Sequence, residues 1–410
     1  MKPCTPFSRV LSILLALPFI ACSQETGSDP TSSAEEVAST TSSGDDFSDD
    51  ERHSLFENFG ENIDFADLPN YESQLIPAYI TRDNGTQNPI KDEVALLGRV
   101  LFYDTALSLD DSTACASCHQ QAFAFGDPEV LSQGAQGKTG RHSMRLINTR
   151  FSNEVRFFWD ERAASLEEQT TMPIADHSEM GFSGTGYDPT FDDLTAKLTQ
   201  TTYYPPLFDR AFGSSEVTEE RMQTALAQFV RSIQSFDSKY DDGRKLAATD
   251  LDDFSNFSDE ENQGKALFLA GPGLGLGCGS CHQAPNFDID RDSRNNGLTS
   301  VANSPSEEDL SVTRSPSLRD LTNEFGELNA LAMHDGSLKN LDDVIDHYAS
   351  ISANTANTEI DRRLTGPPSE RLASISSEER SALKAFLGTL TGNNVYTDAK
   401  WSDPFIDHDE

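Results

Sequence analysis

Five residues written twice constrain this chain more than anything else in it: Cys115-Ala116-Ser117-Cys118-His119 and Cys278-Gly279-Ser280-Cys281-His282. Two residues between thiols put both sulfurs on one side of a helical turn, where they can add to the two vinyl groups of one haem. The next residue then offers an imidazole to the iron. The spelling is that of c-type haem attachment, present twice. A four-cysteine zinc site separates its pairs by roughly 15 to 20 residues and needs no histidine after each. Here 160 positions separate Cys118 from Cys278, so zinc is the poorer reading.

The other two cysteines belong to the start of the chain. Lys2 and Arg9 precede a short apolar run, Val10 to Ala21, broken by Ser12 and Pro18. That is the pattern of an export signal, residues 1–21, and it is too short to span a membrane. Phe19-Ile20-Ala21-Cys22 has the form of a bacterial lipobox, which makes Cys22 the expected lipid anchor. With Cys4 inside the signal, every cysteine is accounted for and none is left for a structural disulfide. Haem attachment of this kind is completed outside the cytoplasmic membrane, so the expected location is the periplasm or cell envelope.

At 410 residues the chain has room for two or three domains. Its formal net charge of −37 argues against nucleic acid as a partner. Residues 22–70 hold 13 acids against Arg52 alone. Such a field would steer in a basic electron carrier, or equally serve solubility in a salty habitat. Residues 23–52 are rich in Ser, Thr, Gly, Asp and Glu and read as a disordered tether, with a wrapping segment from Leu55 to Tyr79.

Helical spacing is clear from Pro89 to Tyr103, where Val94, Leu97, Val100 and Leu101 recur and Asp92 and Glu93 occupy the first turn. Phe191 to Leu198 and Thr218 to Asp237 also read as helices, the second ended by Asp241-Asp242-Gly243. Ser258 with Glu261, and Ser376 with Glu379, have capping-box spacing, the last helix running to about Leu390. Gly98-Arg99-Val100-Leu101-Phe102 precedes Cys115 by 17 residues, and Gly264-Lys265-Ala266-Leu267-Phe268 precedes Cys278 by 14. An internal duplication follows: a mainly α protein of two cytochrome c-like haem domains with long irregular loops, residues 71–245 and 246–410. The alternating glycines from Gly271 to Gly279 lack the βαβ setting of a nucleotide site and suit a loop passing close to a haem edge.

Phe157-Phe158-Trp159-Asp160-Glu161-Arg162, Ser165-Leu166-Glu167-Glu168-Gln169, Pro173-Ile174 and Glu179-Met180-Gly181 resemble the bacterial di-haem cytochrome c peroxidase and MauG family. The similarity covers roughly residues 85 to 405 with both haem motifs in register. It implies that Cys115 and Cys118, and Cys278 and Cys281, each hold a covalently bound haem c, with His119 and His282 as iron ligands. Glu179 matches the carboxylate that moves protons at the peroxidatic haem, with Gln169 and Pro173 beside that pocket and Trp159 between the haems. A surface role is the ordinary one for a lone glutamate, and a core role for a lone tryptophan. Trp401 matches no site and reads as packing.

Two departures from the family bear on function. Many relatives carry a histidine in the loop after the first motif that closes the peroxidatic iron, yet Gln120 to Gly140 contains none. The first haem is therefore expected to be ligated by His119 alone and open to peroxide without reductive activation. His142 is the one nearby rival for that closing ligand, four to five residues too late in register, and it stands where relatives usually have an asparagine that helps bind calcium between the domains, which leaves that calcium open. In Leu341 to Tyr348 the family's methionine ligand of the second haem is Tyr348, as in MauG. A phenolate ligand is anionic and lowers the iron potential. His347 lies about 100° around the helix and cannot share its aim. His334 matches a residue near the haem edge, while His53, His177 and His408 read as surface histidines.

The expectation is thus a di-haem c-type peroxidase reducing hydrogen peroxide with electrons from a small cytochrome c or cupredoxin. The alternative is a MauG-like enzyme oxidising residues of a partner protein by long-range electron transfer. Membrane contact is expected only through the lipid anchor, with a homodimer as one oligomeric arrangement.

Overall fold

The computed structural model describes residues 47–153, 156–271, 274–351, 357–365 and 374–406. The signal, Cys22, most of the tether and His408 lie outside them. Among the described residues the helices are α1 (Asp49–Phe59), α2 (Asp92–Tyr103), α3 (Cys115–Cys118), α4 (Leu166–Thr171), α5 (Phe191–Thr199), α6 (Tyr204–Phe212), α7 (Glu219–Ser232), α8 (Lys239–Leu246), α9 (Asp259–Leu269), α10 (Leu341–Ser350) and α11 (Ser377–Gly388). Long irregular stretches join them, with two short antiparallel hairpins: β1 (His282–Gln283) with β2 (Asp288–Ile289), and β3 (Ser300–Val301) with β4 (Ser304–Glu308). No helix among the described residues is long and apolar enough to cross a membrane.

The repeated pentapeptide has a repeated job. α2 crosses α7 where Gly98 lies against the carbonyl of Ala225 and the side chain of Phe229, so that a Cβ at 98 would collide with both. α9 crosses α11 in the same way, with Gly264 against the carbonyl of Ala382 and against Phe386. Four residues on, Phe102 meets Phe229 at 5.1 Å and Phe125 at 6.1 Å, while Phe268 meets Phe386 at 5.4 Å and Phe287 at 5.8 Å. Even the buried cations correspond. Arg99 donates from Nε to the Ser402 carbonyl at 2.6 Å, and Lys265 donates from Nζ to the Asp250 carbonyl at 2.9 Å. Burying a large apolar side chain contributes about 1.5–3 kcal/mol, and these aromatics anchor two separate hydrophobic cores. The first spans Phe47 to Ile233 and takes in Val395 and Trp401, and the second runs from Tyr240 to Leu390. Trp401, expected as packing, is 2% exposed and donates Nε1–H to the Ser232 hydroxyl at 3.2 Å.

Two expectations are corrected. Residues 49–52 are not tether: Ser48 and Glu51 form a capping box that starts α1, and Leu55 and Phe59 give the helix a buried stripe. The helix beginning at Glu219 stops at Ser232 rather than near Asp237. There Asn148 takes over the backbone, donating its N–H to the Ile233 carbonyl (3.0 Å) and accepting the Ser235 N–H (2.9 Å). Asp241, Asp242 and Gly243 end nothing, because they lie inside α8, which Ser238 and Asp241 open with a second capping box.

Candidate active site

α3 is a single turn, so Cys115 and Cys118, three apart, share a face. His119 follows as its C-terminal cap. Its Nδ1 donates to the Phe125 carbonyl at 3.3 Å, which leaves the Nε2 lone pair free for a metal. These residues line a cavity of about 620 Å³ together with Met144, Trp159, Gln169, Pro173 and Glu179. Burial pushes the Cys115 thiol up to about 12 and the Cys118 thiol up to about 11, so both stay protonated near neutral pH.

The second motif makes a 3-10 turn opened by Gly277 at φ +76°, a left-handed conformation that favours glycine. His282 begins β1, paired with Ile289. Cys278, Cys281 and His282 line a second cavity of about 200 Å³ with Met333, Tyr348 and, again, Trp159. Burial pulls the His282 imidazole down to about 4, helped by the positive charges of Arg363 and Arg145. Tyr348 lines this cavity and His347 does not, since His347 Nε2 donates to the Asn296 carbonyl at 3.1 Å. Burial raises the Tyr348 phenol, while the Asn296 amide lowers it. Asn296 also donates from Nδ2 to Met333 Sδ at 3.2 Å. Neither Asn296 nor Met333 was singled out in the sequence, although Met333 stands beside His334.

Each cavity thus offers two thiols and an imidazole nitrogen. Between them lies Arg145, which lines both cavities and is buried, its Nε without a hydrogen-bond partner among the described residues. His282 Nδ1 is orphaned likewise. A haem brings vinyl groups, an iron and carboxylates, and this donor set suits all three.

Glu179 is half-buried on the wall of the first cavity, and burial lifts its carboxyl up to about 7. The negative charge of Asp176 adds to that rise, and the Arg162 guanidinium opposes it. The loop after the first motif holds this segment in place. Ala135 N–H donates to the Glu179 carbonyl at 2.8 Å and Gln136 N–H to the Ser178 carbonyl at 3.2 Å. Gly134 sits tight against the same backbone, leaving no room for a Cβ. Arg162 lies 3.5 Å over the Phe158 ring and pairs with Asp160 at 2.9 Å. Asp160 in turn receives Arg141 at 2.7 Å, and Arg141 reaches Asp309 at 2.8 Å. Arg162 and Asp176 were overlooked as site residues because nothing in the sequence says that they face Glu179.

Trp159 is 8% exposed and lines both cavities. Its Nε1–H donates to the His142 carbonyl at 2.7 Å, and His334 stands edge-on to it at 6.3 Å. His334 lines neither cavity and donates Nε2–H to the Ser300 carbonyl at 2.9 Å. His53 and His177 are exposed, His177 paired with Asp188 at 2.8 Å.

The sequence family described as di-haem cytochrome c peroxidase matches residues 92–247. The chain is 31% identical over 314 residues to a methylamine utilization protein MauG from Methylophilus methylotrophus, covering 74% of this chain and 84% of that one. It is 28% identical over 309 residues to a cytochrome c551 peroxidase from Nitrosomonas europaea, covering 74% and 82%. The crystal structure of a MauG-like protein associated with microbial copper homeostasis superposes with a TM-score of 0.64 at 27% identity, covering 80% of this chain and 98% of that one.

Proposed function

Because the chain belongs to the family of di-haem cytochrome c peroxidases and MauG, we propose that its first cavity reduces hydrogen peroxide to water while its second relays the electrons. The observation that carries this reading is that Glu179, with its carboxyl raised to about 7, lines the cavity of Cys115, Cys118 and His119. Haem c, attached at each cysteine pair, would supply the redox-active iron. Glu179 takes a proton from the bound peroxide and returns it to the departing oxygen, work for which a carboxyl near neutral pH is suited. Gln169 and Pro173 bound the same pocket and orient the substrate. Trp159, shared by both cavities, carries electrons between them. His282 and Tyr348, which line the second cavity, would hold the second haem, in a domain of residues 246–410 facing the peroxidatic domain of residues 71–245.

The electron donor is a small, basic cytochrome c or cupredoxin, which the net charge of −37 would draw in. The enzyme works in the periplasm or cell envelope, held there by lipid on Cys22. A second reading, oxidation of a partner protein as in MauG, is favoured by Tyr348, an anionic ligand once deprotonated.

Steady-state peroxide reduction with a reduced cytochrome c, beside a control without donor, tests both. Efficient donor oxidation supports the peroxidase, and poor oxidation with a long-lived oxidised enzyme supports the protein-modifying role. If haem-loaded Glu179→Gln keeps wild-type turnover, the role given to Glu179 is wrong.

A further inference from the structure

His142 sits where the two cavities and Trp159 meet, and its side chain has no assigned role. It is 3% exposed and lines both cavities. Its main chain is engaged on both sides: the N–H donates to the His334 carbonyl at 2.8 Å, and the carbonyl accepts the Trp159 indole at 2.7 Å. The side chain reaches a third segment, with Nδ1 at 2.9 Å from the Glu129 carbonyl in the loop after the first haem motif. A carbonyl only accepts, so Nδ1 carries the proton and Nε2 the lone pair. Nε2 is buried without a hydrogen-bond partner among the described residues, and burial pulls the imidazole's pKa down, so the ring stays neutral.

We propose that the His142 side chain is the positioning residue for Trp159. By anchoring to the Glu129 carbonyl, it fixes the peptide oxygen on which the indole N–H rests between the cavities. An indole bound to a side chain can follow that side chain through its rotamers, whereas one bound to a main-chain carbonyl moves only with the backbone. Residues 142–146 belong to no helix or strand, so no ladder of hydrogen bonds holds that carbonyl still. The ring's bond to Glu129 and the N–H bond to His334 do so instead. This inference rests on Trp159 being the relay proposed above, and it deepens that reading by naming what sets the relay's place.

The test is ultraviolet resonance Raman of the haem-loaded protein, read at the indole N–H hydrogen-bond marker, beside turnover with reduced cytochrome c. The two tryptophans are distinguishable, because Trp159 makes a 2.7 Å bond and Trp401 a 3.2 Å bond. Trp159→Phe identifies which band is which. His142→Leu is expected to move the Trp159 band toward a weaker bond and to slow turnover by roughly tenfold or more, as small displacements at a distance from the chemistry do. His142→Asn is expected to restore both, because its Nδ2 lies as far along the side chain as the imidazole Nδ1. An unmoved Trp159 band in His142→Leu overturns the proposal, and so does a His142→Asn protein that behaves like His142→Leu. Should His142→Leu fail to take up haem, His142→Gln, which carries its donor one bond further out, serves the same comparison. If the band moves while Trp159→Phe turns over at the wild-type rate, the relay reading fails and the positioning role stands.

Discussion

Asp176 accepts the backbone N–H of Glu179 on Oδ1 at 3.1 Å, so one carboxylate pins the main chain of the proposed acid–base and also helps lift its pKa. Burial is the larger cause of that rise to about 7, and Arg162 works against it. Wild-type kcat/KM with peroxide is therefore expected to climb with pH through about 7, as Glu179 becomes a base. Asp176→Asn keeps an oxygen for the backbone N–H but removes the charge, which moves the limb to lower pH. Arg162→Gln removes the opposing charge and moves it to higher pH. Glu179→Gln should lose the limb and roughly 10²- to 10⁴-fold in rate. Three superimposable profiles for the wild type, Asp176→Asn and Arg162→Gln would mean that Glu179 is not the group being titrated.

Gly98 and Gly264 carry the second prediction. Alanine in an exposed helix interior is about 1 kcal/mol better than glycine, so on helix propensity alone both Gly→Ala changes would stabilise. At these crossings the added Cβ meets the carbonyls of Ala225 and Ala382 instead. Overpacking of this kind costs about 1–3 kcal/mol, and the sign of the measured change decides between the two effects. Denaturant unfolding of Gly98→Ala and Gly264→Ala should show both destabilised by similar amounts, reflecting their matching places in the two cores.

How much of this was legible in the sequence depends on the range of the interaction. The haem motifs, the capping boxes at Ser258 and Ser376 and the paired Gly98 and Gly264 pentapeptides are local patterns, and local patterns are written in consecutive residues. The Ser48 and Glu51 box was legible too, but a run of acidic and small residues masked it. The end of α7 was not legible, because Asn148, far away in sequence, captures the backbone after Ile233. The surroundings of Glu179 were hidden for the same reason. Arg162 stands 17 positions before it and shifts its proton affinity only because the loop between them folds back. His142 could be found by position but not by role, which comes from bonds to Glu129, Trp159 and His334.

Arg319 and Asp241 are both wholly buried and paired at 2.9 Å. Asp241 also takes the Tyr79 hydroxyl at 2.6 Å and the Ser238 hydroxyl at 2.6 Å, so although burial pushes its carboxyl up, these partners hold it below the usual range. Arg319 lies over the rings of Phe236, Tyr240 and Phe287 and donates to the Pro285 carbonyl at 2.8 Å. Removing one partner of such a pair leaves an uncompensated buried charge, worth about 3–5 kcal/mol. Arg319→Met should therefore lower the unfolding free energy by that amount. The double change with Asp241→Asn should recover part of it, since no lone charge then remains. A double mutant as unstable as the sum of the two single changes would show that the charges do not interact.

Stability should also depend on pH through the buried imidazoles of His142 and His334. Burial lowers the pKa of His142 and His334 in the folded state, whereas in the unfolded chain both titrate near the ordinary value of about 6.5. Above about 6.5 they are neutral in both states and favour neither. Below it the unfolded chain binds protons that the folded protein refuses, so stability falls with pH by up to about 1.4 kcal/mol per unit for each group. Glu179 works in the opposite direction, because its raised pKa makes the fold take up a proton first as the pH drops. The total slope therefore mixes signs, and the informative quantity is the difference between variants. Denaturant unfolding at several pH values from about 7.5 down to 5.5 should show a shallower acid-side decline for His142→Asn than for the wild type, and shallower still with His334→Gln added. Parallel declines in all three would mean that these imidazoles are protonated in the folded protein as readily as in the unfolded chain.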